Sequence, residues 1–190
     1  MSSGKLYTLS GVSGVGKSYM LKAVLDSGLP IKRLKLITTR ENVRKDETIG
    51  VDKIFVTNDA FERLKKCGVL VLPFEAFGNR YGFYKNDIDQ LKNGVSLITE
   101  MHYTAVPSAR EQYDSHSLYI FPGNLDIAIS KNAQRNEPFE QREKKEIDMI
   151  EQLDFVLSEQ GKSMFDEFFQ NNYDSDSVTR FLEVIRSAER

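Results

Sequence analysis

The sequence is short of the residues from which disulfide frameworks and metal clusters are built. Its 190 residues include one cysteine, Cys67, and two isolated histidines, His102 and His116. A single cysteine excludes an internal disulfide and is typical of a protein from a reducing compartment. Isolated histidines lack the ligand spacing of a zinc site, so we expect His116 to be a surface residue.

Long apolar runs and an excess of one charge are also missing. The sequence has no run of 18 apolar residues, and no part of it resembles a signal peptide. The 26 Lys and Arg residues are balanced by 28 Asp and Glu residues, giving a net charge of −2, which provides no bulk attraction to nucleic acid. We therefore expect a cytoplasmic protein that binds neither membranes nor nucleic acid.

What is present suits one globular domain, because 40% of the residues are hydrophobic and 28% are charged. The most informative stretch is residues 11–18, GVSGVGKS, which fits the pattern G-x-x-x-x-G-K-[ST]. A β-rich run at 5–10 precedes it, and a helical pattern at 19–25 follows. Strand, glycine loop and helix are the context that a phosphate-binding loop requires.

The residue types of this loop predict its chemistry. Gly11, Gly14 and Gly16 let the backbone approach a phosphate closely, and backbone N–H groups at the helix start attract an anion. Lys17 can reach the β- and γ-phosphates of ATP, and the Ser18 hydroxyl can bind Mg²⁺. The predicted cofactors are therefore ATP and Mg²⁺. The nucleotide-binding residues are Gly11, Ser13, Gly14, Val15, Gly16, Lys17, Ser18 and Tyr19.

Strands and helices alternate along the rest of the chain, which favours an α/β fold with a parallel sheet. We expect a second strand at 33–39, a long helix at 139–160 and a last strand at 164–170. The apolar strand at 95–100 ends in Glu100, as a Walker-B strand ends in a carboxylate. Glu100 would then hold Mg²⁺ together with Ser18. The alternative is a solvent-exposed glutamate at a strand end.

Two groups of cations could neutralise phosphoryl groups, because guanidinium groups are planar, permanently charged and bidentate. Arg40 and Arg44 follow the second strand, and Arg135 and Arg142 flank Pro138, where the chain could close as a lid. Tyr81, on a turn, could donate to an acceptor phosphate. The alternatives are solvated surface charges and an aromatic side chain that anchors a hairpin.

Together these stretches resemble the guanylate kinase family over nearly the whole chain. The matching features are the loop at 11–18, Thr38-Thr39-Arg40, Gly50-Val51-Asp52 with Phe55-Val56, the turn at 78–82 with sequence GNRYG, and the terminal segment at 171–185. The resemblance implies a three-layer P-loop kinase fold in a single domain. Its core would comprise 1–33, 94–125 and 146–190, its acceptor-binding subdomain 34–93, and its mobile lid 126–145.

The resemblance also implies roles for individual residues. Arg40, Arg44 and Tyr81 would bind the phosphate of the acceptor, and Lys53 stands where the family usually has a phosphate-binding tyrosine. Glu100 would lie beside the acceptor. The catalytic residues would be Lys17, Arg40, Arg135 and Arg142.

The sequence departs from the family where guanine is read. The family uses a serine, a glutamate, a small hydroxyl residue and an aspartate, whereas the corresponding positions here are Leu36, Leu72, Phe83 and His102. A carboxylate that pairs with the guanine N–H groups would dominate specificity, and leucine cannot replace it. Glu75 could do so only if the turn were shifted. We expect Leu72, Phe83 and His102 to contact the acceptor.

These features favour an ATP-dependent kinase that acts on a small phosphorylated acceptor, in the first instance a nucleoside monophosphate. Three alternatives stay open: a modified nucleotide as acceptor, a sugar phosphate as in the similar ribose bisphosphate phosphokinase, and a non-catalytic guanylate-kinase-like binding module. The complete phosphate loop argues against the last.

Overall fold

The structure is a computed structural model that describes residues 3–44, 47–134 and 139–189. Its strands are β1 Leu6–Ser10, β2 Ile31–Arg33, β3 Leu36–Thr38, β4 Lys53–Phe55, β5 Leu70–Ala76, β6 Asn79–Tyr84, β7 Ser96–Glu100, β8 Ser115–Pro122 and β9 Glu167–Asn171. Its helices are α1 Lys17–Asp26, α2 Asn58–Lys66, α3 Lys85–Ile88, α4 Val106–Gln112, α5 Leu125–Ala133, α6 Phe139–Leu157, α7 Glu159–Lys162 and α8 Ser175–Ala188.

Five of the strands form a central parallel sheet in the order β2-β7-β1-β8-β9. Strand β1 lies in the middle, with Leu6 opposite Leu97 of β7 and Ser115 of β8. Every residue of β1 is buried, as expected of a parallel strand that is covered on both faces. The carboxyl ends of β1 and β7 therefore lie side by side, and these are the ends that carry the phosphate loop and Glu100.

Successive residues of the sheet alternate between two hydrophobic cores because side chains of a strand point to opposite faces. Tyr7 and Leu9 belong to one core, with Val24 of α1 and Phe181 of α8. Leu6 belongs to the other, with residues of α4 and of a second sheet. Helices thus cover both faces, and the predicted three-layer α/β architecture with a central parallel sheet is confirmed.

The second sheet has four strands in the order β4-β3-β6-β5. Strand β3 pairs in parallel with β4 and antiparallel with β6. A third core, of Ile37, Phe61 and Leu70, holds α2 against this sheet. The sheet lies within the predicted acceptor-binding region, 34–93, whose boundaries stay a prediction.

The single strand predicted at 33–39 is wrong, because the chain crosses there from one sheet to the other. Residues up to Arg33 pair with β7, and the Leu34 N–H donates to Ile98 O over 2.9 Å. From Leu36 onward the chain pairs with β4 and β6. A continuous β-rich pattern gives no sign of a change of pairing partner.

The carboxyl-terminal elements also differ from their predicted bounds. The helix expected at 139–160 ends at Leu157 and is followed by α7, which Ser158 caps by accepting from the Gly161 N–H. The last strand, β9, begins at Glu167 rather than at residue 164. Helices α5 and α6 carry the described part of the predicted lid. No described helix is long and apolar enough to span a membrane.

The core predicts a large loss of stability on truncation of Phe181. This ring is fully buried and lies 5.1 Å from the Phe169 ring. Phe181→Ala should lower the free energy of unfolding in urea by about 3–5 kcal/mol through lost burial and a cavity. Ile150→Ala, at a side chain that is 63% exposed, is the control and should change it by roughly 0.5 kcal/mol or less. Equal effects of the two substitutions would contradict the assignment of the core.

Candidate active site

The phosphate loop joins β1 to α1 in a backbone shape that requires glycine. Gly14 has a φ of +83°, and a Cβ atom there would lie 2.2 Å from the Ala128 carbonyl oxygen. Gly16 has a φ of +96°, and its Cβ would lie 2.8 Å from the Asn171 amide nitrogen. Both positions therefore exclude side chains, and the loop keeps its backbone open to an anion.

Two buried asparagines hold this loop from outside it. The Asn171 side chain donates to Val15 O over 2.8 Å, and the Ser13 hydroxyl donates to Asn132 Oδ1 over 2.8 Å. Asn132 comes from α5 and Asn171 ends β9, so two distant segments fix the loop. Their roles are missing from the sequence prediction, because only the fold brings them to residues 13–16.

Lys17 and Ser18 begin α1 at the mouth of the loop. Lys17 Nζ donates to the Gly11 and Val12 carbonyl oxygens over 2.5 and 2.9 Å. Ser18 and Glu100 line the same cavity as Lys17. The structure therefore brings together the three predicted groups Lys17, Ser18 and Glu100. Of the other predicted loop residues, Val15 is buried and Tyr19 is exposed on α1.

Glu100 is an ionised carboxylate beside the loop. Its burial opposes ionisation, but the charges of Lys53 and Lys17 and the hydrogen bond from Ser18 outweigh it and lower the pKa of Glu100 to about 2. A serine hydroxyl next to an ionised carboxylate is a donor set that suits Mg²⁺, which takes oxygen ligands and completes its shell with phosphates and water. Ser18 and Glu100 therefore fit the predicted metal site.

Three cations of the acceptor side converge on one carboxylate, Glu47. Arg40 Nη2 contacts Glu47 Oε2, and Lys53 Nζ lies 2.8 Å from Glu47 Oε1. The Arg44 backbone N–H donates to Glu47 Oε2 over 3.0 Å, and its guanidinium lies 3.9 Å from Oε1. Burial opposes ionisation of Glu47, but Lys53, the Arg44 N–H and Arg40 lower its pKa to about 2. We call Arg40, Arg44 and Lys53 the cation cradle.

Tyr81 lies beside the cation cradle on β6. Burial raises the pKa of its hydroxyl, although the charges of Arg40, Lys53 and Arg44 and a hydrogen bond with Thr38 act in the opposite direction. Tyr81 is thus a neutral hydrogen-bond donor. Its ring stacks on Phe74, with centroids 5.1 Å apart.

One cavity joins the phosphate loop to the cation cradle. Gly11, Ser13, Gly14, Gly16, Lys17 and Ser18 of the loop line it together with Arg40, Arg44, Lys53, Tyr81 and Glu100. The rest of the lining, which we call the far end, is mostly apolar and aromatic. It is formed by Leu36, Phe74, Ala76, Phe77, Asn79, Met101, His102, Lys145 and Gln152.

The structure does not bring Leu72 and Phe83 to this cavity. Both side chains are buried in the core beneath the second sheet, and the described lining includes neither. Leu72 sits at a register shift of β5 with a φ of +47°, so the regular alternation of the strand fails there. Glu75 does not lie in the cavity either, since it pairs with Arg80 over 3.3 Å and its side chain is 75% exposed.

His102 lines the far end of the cavity as an aromatic wall. Its Nδ1 lies 2.8 Å from the Thr104 hydroxyl and its Nε2 lies 3.1 Å from Asp148 Oδ1. Both ring nitrogens are therefore engaged within the protein. The Phe77 ring meets His102 edge-on, with centroids 5.7 Å apart.

Helix α6 supplies a different cation from the predicted one. Lys145, which is 4% exposed, lines the cavity, and its Nζ lies 5.7 Å from the Phe77 ring. Arg142, one turn earlier, is not among the described lining residues and lies 6.0 Å from the Phe139 ring. The predicted Arg135 lies outside the described residues. Sequence reasoning missed Lys145 because a lysine within a charged helix gives no distinguishing signal.

A sequence model of a single protein family, described as guanylate kinase, matches residues 3–188. The chain belongs to the guanylate kinase family.

Named relatives agree with this assignment. The guanylate kinase of Aliivibrio fischeri is 30% identical over 168 residues, which cover 83% of this chain and 81% of that protein. Those of Pseudomonas fluorescens (strain Pf0-1) and Mycoplasma pneumoniae are 31% and 27% identical over 72% of this chain. The matches span 66% and 59% of these two proteins, which is less than two thirds of their length.

A solved structure shows that the fold is that of the family. The crystal structure of guanylate kinase from Anaplasma phagocytophilum has a TM-score of 0.75 with 21% sequence identity. The superposition covers 98% of this chain and 87% of that chain. The predicted P-loop kinase fold class is thereby confirmed.

Because Asn171 supports the loop from outside it, we predict that removing its side chain weakens nucleotide binding. Asn171→Ala leaves Val15 O without its donor and relaxes the loop. It should weaken binding of a non-hydrolysable ATP analogue with Mg²⁺ by about tenfold, measured by calorimetry. Asn172→Ala is the matched control, because the Asn172 side chain accepts from Gln170 and not from the loop. Unchanged binding by the Asn171 variant would show that the loop is self-supporting.

The lowered pKa of Glu47 predicts acid sensitivity. In the unfolded chain this carboxyl titrates near pH ~4.3, against about 2 in the fold. Its stabilising effect is therefore complete above pH ~4.3 and is lost as the pH falls from there toward 2. The free energy of unfolding, from urea titrations between pH 3 and 6, should rise less steeply with pH in Glu47→Gln than in the unsubstituted protein. The difference in slope should correspond to up to roughly one proton bound on unfolding. Identical slopes would contradict the depressed pKa.

Proposed function

We propose that this protein transfers the γ-phosphoryl group of ATP to a nucleoside monophosphate. The observation that carries the proposal is the single cavity that the phosphate loop and the cation cradle line together. Two phosphorylated molecules can therefore meet there with their charged ends facing each other. The relatives named guanylate kinases support the same reaction class.

Different residues bind the two substrates. The loop amides and Lys17 bind the ATP phosphates, and Arg40, Arg44 and Tyr81 bind the acceptor phosphate. Ser18 and Glu100 would hold Mg²⁺, which offsets negative charge on the phosphates when it is bound. The phosphate oxygen of the acceptor is itself the nucleophile, so no side chain needs to form a covalent intermediate.

The acceptor base is proposed to be bound chiefly by shape and stacking. Phe74, Phe77 and His102 provide aromatic surface at the far end of the cavity, and no carboxylate lines that end among the described residues. Guanine presents adjacent N–H donors that need such an acceptor. A site rejects a wrong base strongly when that base leaves buried polar groups of the site unpaired. The far end offers no carboxylate of this kind among the described residues, so discrimination in favour of GMP should be weak.

Initial rates with MgATP and GMP, dGMP, AMP, UMP or dTMP test this function. We expect turnover of at least one nucleotide, with GMP preferred over the next best by no more than about tenfold in kcat/KM. Lys17→Ala should abolish turnover, and the exposed Lys22→Ala on the same helix is its control. Absence of turnover with every acceptor would remove the proposal, and a preference for GMP of a thousandfold would remove its account of the base.

A further inference from the structure

Glu47 is surrounded by positive charge that the proposed reaction needs for its substrate. Its two carboxylate oxygens together meet Arg40, Lys53 and the backbone and side chain of Arg44. The Glu47 side chain is only 7% exposed. An acidic group in the middle of a phosphate-binding cradle either competes with phosphate or holds the cradle together.

The position of Glu47 distinguishes between these two roles. Arg40, Arg44 and Lys53 line the main cavity, whereas Glu47 is absent from its described lining. Glu47 instead lines a second cavity together with Arg33 and Asp52, and this cavity shares Ser18, Leu36, Lys53 and Glu100 with the main one. The carboxylate therefore contacts the cations from the side of the second cavity, which we call behind the cradle, and leaves the main cavity to a ligand.

Arg40 keeps an unused hydrogen-bond donor. The residue is 7% exposed, and its Nε is buried without a hydrogen-bond partner among the described residues. A buried guanidinium N–H without an acceptor is costly and is normally paired. Since Arg40 also lines the main cavity, an anionic ligand there lies next to this incompletely paired guanidinium.

The net charge of the cradle also suits an anion. The three cations and Glu47 alone carry a net charge of +2, which has the sign that a phosphate monoester dianion needs. Without the carboxylate, three like charges would repel one another and spread apart. Lys53 in addition lies 3.6 Å from Glu100 Oε2, so the cradle is connected to the predicted metal site.

We propose that Glu47 is a positioning residue for the acceptor phosphate: from behind, its carboxylate fixes Arg40, Arg44 and Lys53 around one phosphate-sized point. This inference rests on the proposed function, because it assigns the cradle to the acceptor. It differs from a role in catalysis, since Glu47 contacts the cations of the cradle and is absent from the described lining of the main cavity.

Glu47→Gln tests the inference, and Glu41→Gln, an exposed acid on the same loop, is the matched control. The phosphate loop is first saturated with a non-hydrolysable ATP analogue and Mg²⁺, and inorganic phosphate is then titrated by NMR. Glu47→Gln should weaken phosphate binding at least tenfold and change the Kd of the ATP analogue less than twofold. Phosphate binding that is unchanged or tighter would overturn the proposal, and tighter binding would show that Glu47 competes with phosphate.

Lys53→Met and the double variant Glu47→Gln/Lys53→Met provide a second test. Because Glu47 positions Lys53, the effects of the two substitutions should not be additive. The summed losses of phosphate-binding free energy in the two single variants should exceed the loss in the double variant. Simple addition of the losses would contradict the coupling. If Glu47→Gln alone does not fold, Glu47→Asp replaces it in both tests, because the shorter side chain keeps the charge but withdraws the carboxylate from the cations and should weaken phosphate binding in the same direction.

Steady-state kinetics distinguish failure of this inference from failure of the proposed function. In Glu47→Gln the KM of the accepted nucleotide should rise at least tenfold, with the KM of ATP unchanged. An unchanged acceptor KM would overturn the inference and leave the function standing. Glu47-dependent phosphate binding in a protein that turns over no nucleotide would overturn the function, and with it the assignment to an acceptor, but would support the positioning of the cradle by Glu47.

Discussion

In the proposed reaction, electrostatic repulsion between two phosphorylated substrates is the constraint on which the arrangement of this protein depends. A triphosphate and a phosphate monoester approach each other only where protein charge offsets their own. The structure concentrates Lys17, Arg40, Arg44 and Lys53 around one cavity. These cations would repel one another, and two acids lie among them: Glu47 pairs with Arg40 and Lys53, and Glu100 pairs with Lys53.

The fold supplies this concentration of charge through the meeting of two sheets. The parallel sheet brings the phosphate loop and Glu100 to adjacent strand ends, and the four-stranded sheet brings Arg40 and Lys53 opposite them. The chain passes from the parallel sheet to the four-stranded sheet after Arg33. Residues of both sheets also pack in one hydrophobic core, which holds the two sides of the cavity together. The loop itself depends on Asn171, which belongs to the last strand.

The sequence predicted the parts of the site that local chemistry determines. Residues 11–18 need glycine backbone and a helix start, both of which are local, and Glu100 follows from a strand that ends in an acid. Glu47 and Lys145 could not be predicted in the same way. Each lies in a charged segment, and only tertiary packing distinguishes its side chain from exposed neighbours.

At the far end of the cavity, the sequence predicted two acceptor contacts that the structure places in the core instead. Correspondence with the guanine-reading glutamate of the family suggested that Leu72 would contact the acceptor, but the register shift and left-handed backbone at that residue place its side chain in the core. Phe83 is buried for a related reason, since it pairs across from Val71 just before the shift. Irregular strand pairing of this kind is set by three-dimensional packing and not by residue preference.

The most direct test of the account is the affinity of adenosine 5′-pentaphosphate relative to ATP at saturating Mg²⁺. If one cavity receives a triphosphate at the loop and a further phosphate at the cation cradle, the longer tail reaches the cradle. Calorimetry should then show binding at least tenfold tighter than that of ATP. Equal affinities would mean that the loop and the cradle do not serve one continuous site.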